Sequence, residues 1–593
     1  MGLRFEPLEE RLAFSVWQNA DLPCDVDRSG LVAPIDMLQV INEINLSGNR
    51  SLADSPPQLG RPVDTNGDGL LSPVDALLII NALNRYAGTL SVEFAPPAAD
   101  PDRNGVLASQ SVMLMGSTLP EVELRLSVEG QAFATVMSNA EGNFVFAGVP
   151  LHSTATSILV TAHDPRGRSS TDHLSLRSGD AVANWNASAL VIVRDWQTVD
   201  EAGRVGRSPP PMVARNLAMI HAAMFDAVNA YGREYEPYLQ DLPQPPDGSS
   251  PQAAAAAAAH AVASALYPAA AERAVWDATL EECRLAVNDA AAWDAGAAFG
   301  GSVGQAMLQL RAGDGSGDVV EYTHGSRPES WRKTFPGYLP ASLPQWPGVT
   351  PFSLPSFDGF QVPAPLPLLG DDYALSVDEV MRLGGVDSSE RTADQTAIAR
   401  FWAGGGGTAT PPGQWNRIAA EVAAGRDLPL VESARLLAAL NLALADAGIA
   451  AWETKYTYNF WRPIDAIRRA ADDGNAATDG DPAWTPLLDT PPFPSYVSGH
   501  STFSGAAAAV LTALLGEHVA FSITADPAGM PLQRLQPTAT LESRSFGSFR
   551  EAAEEAGMSR IYGGIHYDFD NTAGLELGEA LGLHVVANFL RPV

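Results

Sequence analysis

The spacing of apolar residues changes character along the chain, and each change limits what the next stretch can fold into. From about residue 188 onward, long Ala-rich runs alternate with Pro- and Gly-rich loops such as RPESWRKTFPGYLPASLPQWPGVTPFSLPSF (327–357). Those runs have the length and periodicity of helices, so 188–593 is expected to be a mainly α-helical bundle. Between about 91 and 187 the pattern shortens to alternating runs, VELRLSVEG, AFATVMS, GNFVFAGV and SILVTAHD, separated by Gly, Asn and Pro turns. Side chains of period two bury one face of a strand, which predicts an antiparallel β-sandwich. Ahead of it, within 21–90, two acidic loops each lead into a short helix-like run, and residues 1–20 form a separate N-terminal segment. The expected fold class is therefore multidomain: a small α EF-hand-like module, a β-sandwich and a helical bundle. A length of 593 residues agrees, being too great for one domain.

The net charge of −32 argues against nucleic acid or an anionic membrane surface as a partner. Cys24 and Cys283 are the only cysteines and lie far apart, so no disulfide framework is indicated. No uninterrupted apolar run of about 20 residues occurs, and no transmembrane segment is expected.

The two acidic loops, DVDRSGLVAPID (25–36) and DTNGDGLLSPVD (64–75), are an internal repeat. Each offers oxygen atoms at loop positions 1, 3, 5 and 12, with Gly30 or Gly69 at position 6 for the sharp turn that calcium loops require. With the helix-like APIDMLQVINEIN and SPVDALLIINALN behind them, they resemble a type I dockerin. The resemblance implies the calcium ligands Asp25, Asp27, Ser29 and Asp36 in one loop, and Asp64, Asn66, Asp68 and Asp75 in the other. It also implies a cohesin-like protein partner. Ser29 brings no charge where Asp68 brings one, so the second loop is expected to bind more tightly. The alternating region resembles bacterial Ig-like spacer domains. ADPDRNGV (99–106) looks like half of a calcium loop, but no helix follows it, and it is read as a turn or linker.

Three C-terminal stretches carry the chemistry: KYTYNFWRP (455–463), PSYVSGHSTF (494–503) and SRIYGGIHYDFD (559–570). They supply Lys455, Arg462 and Arg560 beside His500 and His566. Three cations and two imidazoles suit a tetrahedral oxyanion such as phosphate or vanadate, since unpaired buried charge is expensive in an ordinary core. Lys455 and Arg462 are seven residues apart, which a single helix would place two turns apart on one face. Ser498-Gly499-His500 precedes the helix-like STFSGAAAAVLTALLG, so their N–H groups are expected at an anion-binding helix N-terminus. Asp570 stands one helical turn after His566, where its carboxylate can fix the imidazole tautomer. His221, His260, His324, His518 and His584 lack such surroundings and are expected to be ordinary packed or surface residues.

KxxxxxxRP, SGH and SRxxxxxHxxxD, in that order, resemble the signature shared by vanadium-dependent haloperoxidases and type 2 phosphatidic acid phosphatases. Val497 replaces the usual proline before SGH, and the gap from His500 to Ser559 is long. Similarity to soluble chloroperoxidase-like enzymes reaches beyond the charged positions, through NLALADAGIAAWETKYTYNFWRPIDAIR and upstream to about residue 190. The resemblance implies vanadate as cofactor, with His566 as its covalent ligand. Lys455, Arg462, Ser498, Gly499 and Arg560 would neutralise its oxygens, His500 would be the acid–base group, and Lys455 would polarise bound peroxide. Phe493 would lie on the halide side. The implied reaction is oxidation of halide by hydrogen peroxide to hypohalous acid. Two alternatives stay open: an acid phosphatase using the same pocket, and a non-catalytic surface or assembly protein acting through the dockerin-like module. MGLRFEPLEERLAFS resembles an N-terminal box of some bacterial exported proteins, which implies an extracellular or cell-surface location.

Overall fold

The computed structural model describes residues 17–52, 61–85, 88–195, 197–199, 205–207, 209–528 and 541–593. The export-like box MGLRFEPLEERLAFS lies outside them. Two compact units emerge: Met1–Ala98 with Ser111–Pro150 and Thr156–Leu174, and Ala99–Gln110 with Leu151–Ala155 and Ser175–Val593.

The first unit begins with two helices, α1 (Pro34–Ser47) and α2 (Pro73–Arg85), each entered from an acidic loop. Proline opens both, at a position where its missing N–H costs nothing. Strands β1 (Arg50–Ser51) and β2 (Leu70–Leu71) pair antiparallel beside them. Val26, Val40, Leu52, Val63, Leu71 and Ile79 form a small core of their own. The strands that follow are β3 (Glu93–Phe94), β4 (Val106–Leu107), β5 (Ser111–Ser117), β6 (Glu123–Val128), β7 (Gln131–Met137), β8 (Asn143–Pro150), β9 (Thr156–His163) and β10 (Ser169–Ser178). One sheet has the order β3-β5-β8, and in the other β10-β9-β6-β7 are successive neighbours. Alternation decides which residues turn inward: Leu124 and Leu126 from β6, Phe144 and Phe146 from β8, Ile158 and Val160 from β9 are all buried. Glu129 and Gly130, with φ of 52° and 72°, make the tight β6–β7 turn whose twist matches the strands. β10 continues into the second unit, where Arg177 and Ser178 pair in parallel with Val106 and Leu107 of β4.

The second unit is helical: α3 (Ala181–Asp195), α4 (Pro210–Gly232), α5 (Pro251–Leu266), α6 (Ala270–Ala286), α7 (Ala290–Leu310), α8 (Asp371–Gly384), α9 (Ala393–Phe401), α10 (Thr410–Ala424), α11 (Leu430–Tyr458), α12 (Pro463–Arg468), α13 (Gly499–Leu515), α14 (Phe549–Tyr562) and α15 (Asp568–Asn588). Two short antiparallel ribbons interrupt the expected all-helical run: β11 (Gln197–Val199) with β12 (Val205–Arg207), and β13 (Phe521–Thr524) with β14 (Ser543–Phe546). The boundary expected at 187/188 falls inside α3. That helix starts at Ala181 because its apolar face, including the fully buried Trp185, belongs to the helical core. α11 is long and apolar enough to cross a membrane, yet 94% of its apolar window is buried inside the protein, as in a central core helix.

Small residues let the helices come close. On α15, a Cβ added to Gly574, Gly578 or Gly582 would lie 2.8, 2.1 or 2.5 Å from backbone carbonyl oxygens of Ser498, Thr502 and Ala506. Glycines four apart on one helix thus seat α15 against the start of α13, which is where SGH lies.

Candidate active site

Lys455 sits in the last turn of α11, fully out of solvent. Its ammonium donates to the carbonyls of Pro494 (3.1 Å), Ser495 (2.7 Å) and Val497, all from the strand of chain leading into SGH. It also lies 5.2 Å from the ring centre of Phe493 and 5.8 Å from that of Trp452. Asn459 then takes a left-handed conformation and ends α11. Lys455 and Arg462 therefore do not share one helix face, as their spacing suggested. Arg462 is the N-cap of α12, in the extended conformation that a following proline favours, and Pro463 starts that helix instead of breaking one.

Arg462 is fully buried. Its Nε donates to Phe493 O at 2.8 Å, and its Nη1 to Ile565 O at 2.8 Å. Nη1 also stands 3.0 Å from His566 Nε2. On the other side of the ring, His566 Nδ1 is 2.7 Å from Asp570 Oδ2. A carboxylate at Nδ1 and a guanidinium at Nε2 fix one tautomer: the proton resides on Nδ1 and the lone pair on Nε2 faces the cations. Asp570 reaches the ring because it occupies the first turn of α15, directly after the bend that Gly564 makes with φ 76°. The same carboxylate oxygen accepts from Ser495 Oγ, and Asp570 O accepts from Ser498 N at 2.9 Å. Asp570 thus ties the histidine stretch to the SGH stretch.

Ser498 is the N-cap of α13; its Oγ takes the Ser501 N–H at 3.3 Å. Gly499 and His500 open the helix, where first-turn N–H groups have no intrahelical acceptor. A Cβ at Gly499 would meet the Trp452 ring at 3.3 Å, so glycine lets this turn press against α11. Arg560, near the end of α14, donates from Nη1 to Trp402 O at 3.1 Å.

Burial and mutual repulsion set the charges. Desolvation, then Arg462, holds Lys455 well below the usual ammonium range. Burial lowers Arg462 to about 10, and burial with Arg462 lowers Arg560 to about 9. Both imidazoles are pushed well below their ordinary value by burial first, then by Arg560 for His500 and Arg462 for His566, and so are neutral at neutral pH. Asp570 is raised to about 6 by burial, against the pull of Ser495 and the cations. Each histidine feels the same three cations, which brings all five groups to one place.

Three buried nitrogens there have no hydrogen-bond partner among the described residues: Arg462 Nη2, Arg560 Nε and His500 Nε2. Unsatisfied buried donors are costly, and a tetrahedral oxyanion satisfies them. The donor set suits vanadate, with an unprotonated imidazole nitrogen, guanidinium N–H groups and a helix N-terminus. Phe493 packs on Trp452 at 4.7 Å between ring centres and lies 4.8 Å from the Arg462 guanidinium carbon. Sequence reading passed over Ser495, which buttresses Asp570, and Trp402, whose carbonyl orients Arg560. The first stood inside PSYVSGH unremarked; nothing local marked the second.

In the acidic loops, Asp25, Asp27 and Asp36 each bring a carboxylate oxygen within 4.8 Å of the other two. Ser29 joins them through its N–H to Asp25 Oδ1 at 3.0 Å. In the second loop Asp64 and Asp75 are buried, and Asn66 Nδ2 donates to Asp68 Oδ2 at 2.8 Å.

Comparison with known proteins finds similarity in two parts of the chain. Residues 435–593 match the VCPO second helical-bundle domain, and residues 23–84 match the dockerin type I domain. The vanadium chloroperoxidase of Curvularia inaequalis is 30% identical over 256 residues, which is 35% of this chain and 41% of that protein. The match therefore spans less than half of that relative. A bacterial vanadium-dependent iodoperoxidase structure aligns with a TM-score of 0.56 and 26% identity, covering 69% of this chain and 96% of its own. The holo form of a bacterial vanadium-dependent chloroperoxidase aligns over 66% of this chain and 96% of its own, at TM-score 0.51 and 18% identity, and shares the fold. The chain is thus multidomain, with a dockerin domain near its N-terminal end and a mostly helical bundle of the vanadium haloperoxidase type.

Proposed function

We propose that the helical unit is a vanadate-dependent haloperoxidase that oxidises halide with hydrogen peroxide, H2O2 + X− + H+ giving HOX + H2O. What supports this reading above all is the convergence of three buried cations and two neutral histidines around three unpartnered nitrogens. His566 Nε2 offers the lone pair for the metal in exchange for its contact with Arg462 Nη1, and Asp570 holds the proton on Nδ1 so that Nε2 stays unprotonated. Arg462, Arg560, Lys455 and the Ser498–Gly499 turn balance oxyanion charge. His500, neutral and with Nε2 free, accepts and returns a proton at that nitrogen. Bound vanadate supplies a Lewis acid that activates peroxide toward halide without changing oxidation state.

Calcium binding by the 25–36 and 64–75 loops, a cohesin-like partner and a secreted or cell-surface location complete the proposal, supported by the dockerin match and the gathered carboxylates. The test is bromination of a phenolic dye by chelator-treated protein. Orthovanadate should restore peroxide- and bromide-dependent turnover, and phosphate should compete. Strong phosphomonoesterase activity that vanadate only inhibits, with no halogenation, would establish the phosphatase alternative.

A further inference from the structure

The 99–106 segment, ADPDRNGV, has the first half of a calcium loop and lacks the acid that closes one. In the structure an acid arrives from another element. Glu282, on α6, accepts the Ala108 N–H through Oε1 at 3.0 Å. Its second oxygen, Oε2, is out of solvent and has no hydrogen-bond partner among the described residues. Ala108 is position 9 counted from Asp100. In the two N-terminal loops the position-9 N–H belongs to Ala33 or Ser72, and it donates to the closing acid, Asp36 at 2.8 Å or Asp75 at 2.9 Å. Glu282 therefore makes the same bond that the closing acid makes in the other two loops.

The remainder of the loop follows the same template. Position 4 has positive φ in all three, at Arg28 (58°), Gly67 (71°) and Arg103 (60°), and so has position 6, at Gly30 (86°), Gly69 (76°) and Gly105 (79°). The position-3 side chain accepts the position-5 N–H each time: Asp27 from Ser29 at 3.0 Å, Asn66 from Asp68 at 3.1 Å, Asp102 from Asn104 at 3.2 Å. The position-6 N–H points at the first aspartate in each loop, at 2.8 Å for Asp25, 3.0 Å for Asp64 and 3.3 Å for Asp100.

A surface turn does not explain the burial. Asp100, Asp102 and Asn104 are 0%, 3% and 4% exposed. Hydroxyls from two helices fix the group from behind: Thr279 Oγ1 donates to Asp102 Oδ2 at 2.6 Å and Ser188 Oγ donates to it at 2.9 Å. Carboxylates grouped this far from water are expensive unless a cation joins them.

We infer that Asp100, Asp102, Asn104 and Glu282 form a third calcium site, in which α6 supplies the acid that the loop itself lacks. Val106 stands at position 7, whose carbonyl binds the ion in loops of this kind. The donors are all hard oxygens, three of them carboxylates, which suits calcium over softer transition metals. The ion would pin the 99–108 loop to α6, within the helical unit. This site is independent of vanadate and of the proposed reaction.

Calcium per chain is counted by equilibrium dialysis on the full chain, in an Asp25→Ala/Asp64→Ala background that disables the first acid of both N-terminal loops. That background should retain one calcium. Adding Glu282→Gln or Asp100→Asn should weaken the retained site about tenfold or more, because affinity follows ligand charge. Calcium should also raise the melting temperature of the background protein, and either addition should abolish the rise. Circular dichroism confirms folding; should one variant unfold, the other and the background decide. A folded background that binds no calcium, or affinity unchanged by both additions, overturns the site.

Discussion

At the scale of single residues, the two histidines of the candidate site differ in what each nitrogen touches. His566 is held on both sides, by Asp570 and Arg462, whereas His500 Nε2 has no hydrogen-bond partner among the described residues. His566→Ala is expected to abolish vanadate binding, because it deletes the one oriented lone pair. His500→Ala should keep binding through the cations and lose turnover by about 10²–10⁴-fold. Vanadate titration of both variants checks this, and equal affinities would refute the division. Asp570→Asn preserves shape but no longer holds the proton on Nδ1, so affinity or turnover should fall about 10–100-fold. His221 gives a separate test. It is fully buried on α4, neither ring nitrogen has a hydrogen-bond partner among the described residues, and burial lowers it to about 3. The unfolded chain, with a histidine near 6.5, binds a proton that the folded chain refuses, so stability is lost as pH falls below about 6.5. His221→Leu should therefore gain about 2 kcal/mol relative to the unsubstituted chain between pH 7 and pH 5, read from urea unfolding at both pH values. A pH-independent difference would mean that His221 is protonated or hydrated in the fold. The charged residues of the site were legible in sequence because each sits in a spaced motif. Ser495 and Trp402 were not, since they act through a hydroxyl and a backbone carbonyl that no spacing announces.

Among elements, the close seam between α13 and α15 positions the site. Gly574, Gly578 and Gly582 face backbone oxygens of α13, and Asp570 lies one turn before the first of them. Glycine inside a helix ordinarily costs about 1 kcal/mol against alanine. Gly578→Ala should nonetheless destabilise the chain, by about 1–3 kcal/mol, because the added Cβ would sit 2.1 Å from Thr502 O and the helices must part. Thermal unfolding showing a gain instead would mean that the seam is looser than described. Parting the helices also moves His566 and Asp570 away from Ser498, so halogenation should fall together with stability. Helical periodicity announced these elements well, but not their terminations near the site. The seven-residue gap between Lys455 and Arg462 reads as two turns of one helix, yet Asn459 takes a left-handed cap and Pro463 starts a new helix. The deciding factor was tertiary: the chain turns so that Arg462 can face His566, and a spacing rule contains no such information.

For the whole molecule, the pattern of apolar residues located the sandwich and the bundle, while the seam between them was misplaced. The boundary at 187/188 implied that removing residues 1–185 would leave the catalytic unit whole. The structure argues otherwise from that unit's own core. Trp185 is fully buried and stacks on Trp276 of α6 at 5.8 Å between ring centres, with the rings 18° from parallel. Val182 and Ala181 share that core. A cut at 185 deletes the first turn of α3, its tryptophan and the 99–110 loop that carries Asp100 and Asp102. Loss of a buried tryptophan alone costs about 3–5 kcal/mol, a large part of the stability of an ordinary domain. Removal of residues 1–90 is a different operation. It takes away the acidic loops and α1 and α2, whose apolar residues pack on one another in a separate small core. Vanadate-dependent halogenation and the melting temperature of the helical unit are expected to survive removal of 1–90. They should drop sharply on removal of 1–185. Equal activity in the two truncations would show that α3 can be dispensed with, and the sandwich–bundle boundary would then return to where the sequence pattern placed it.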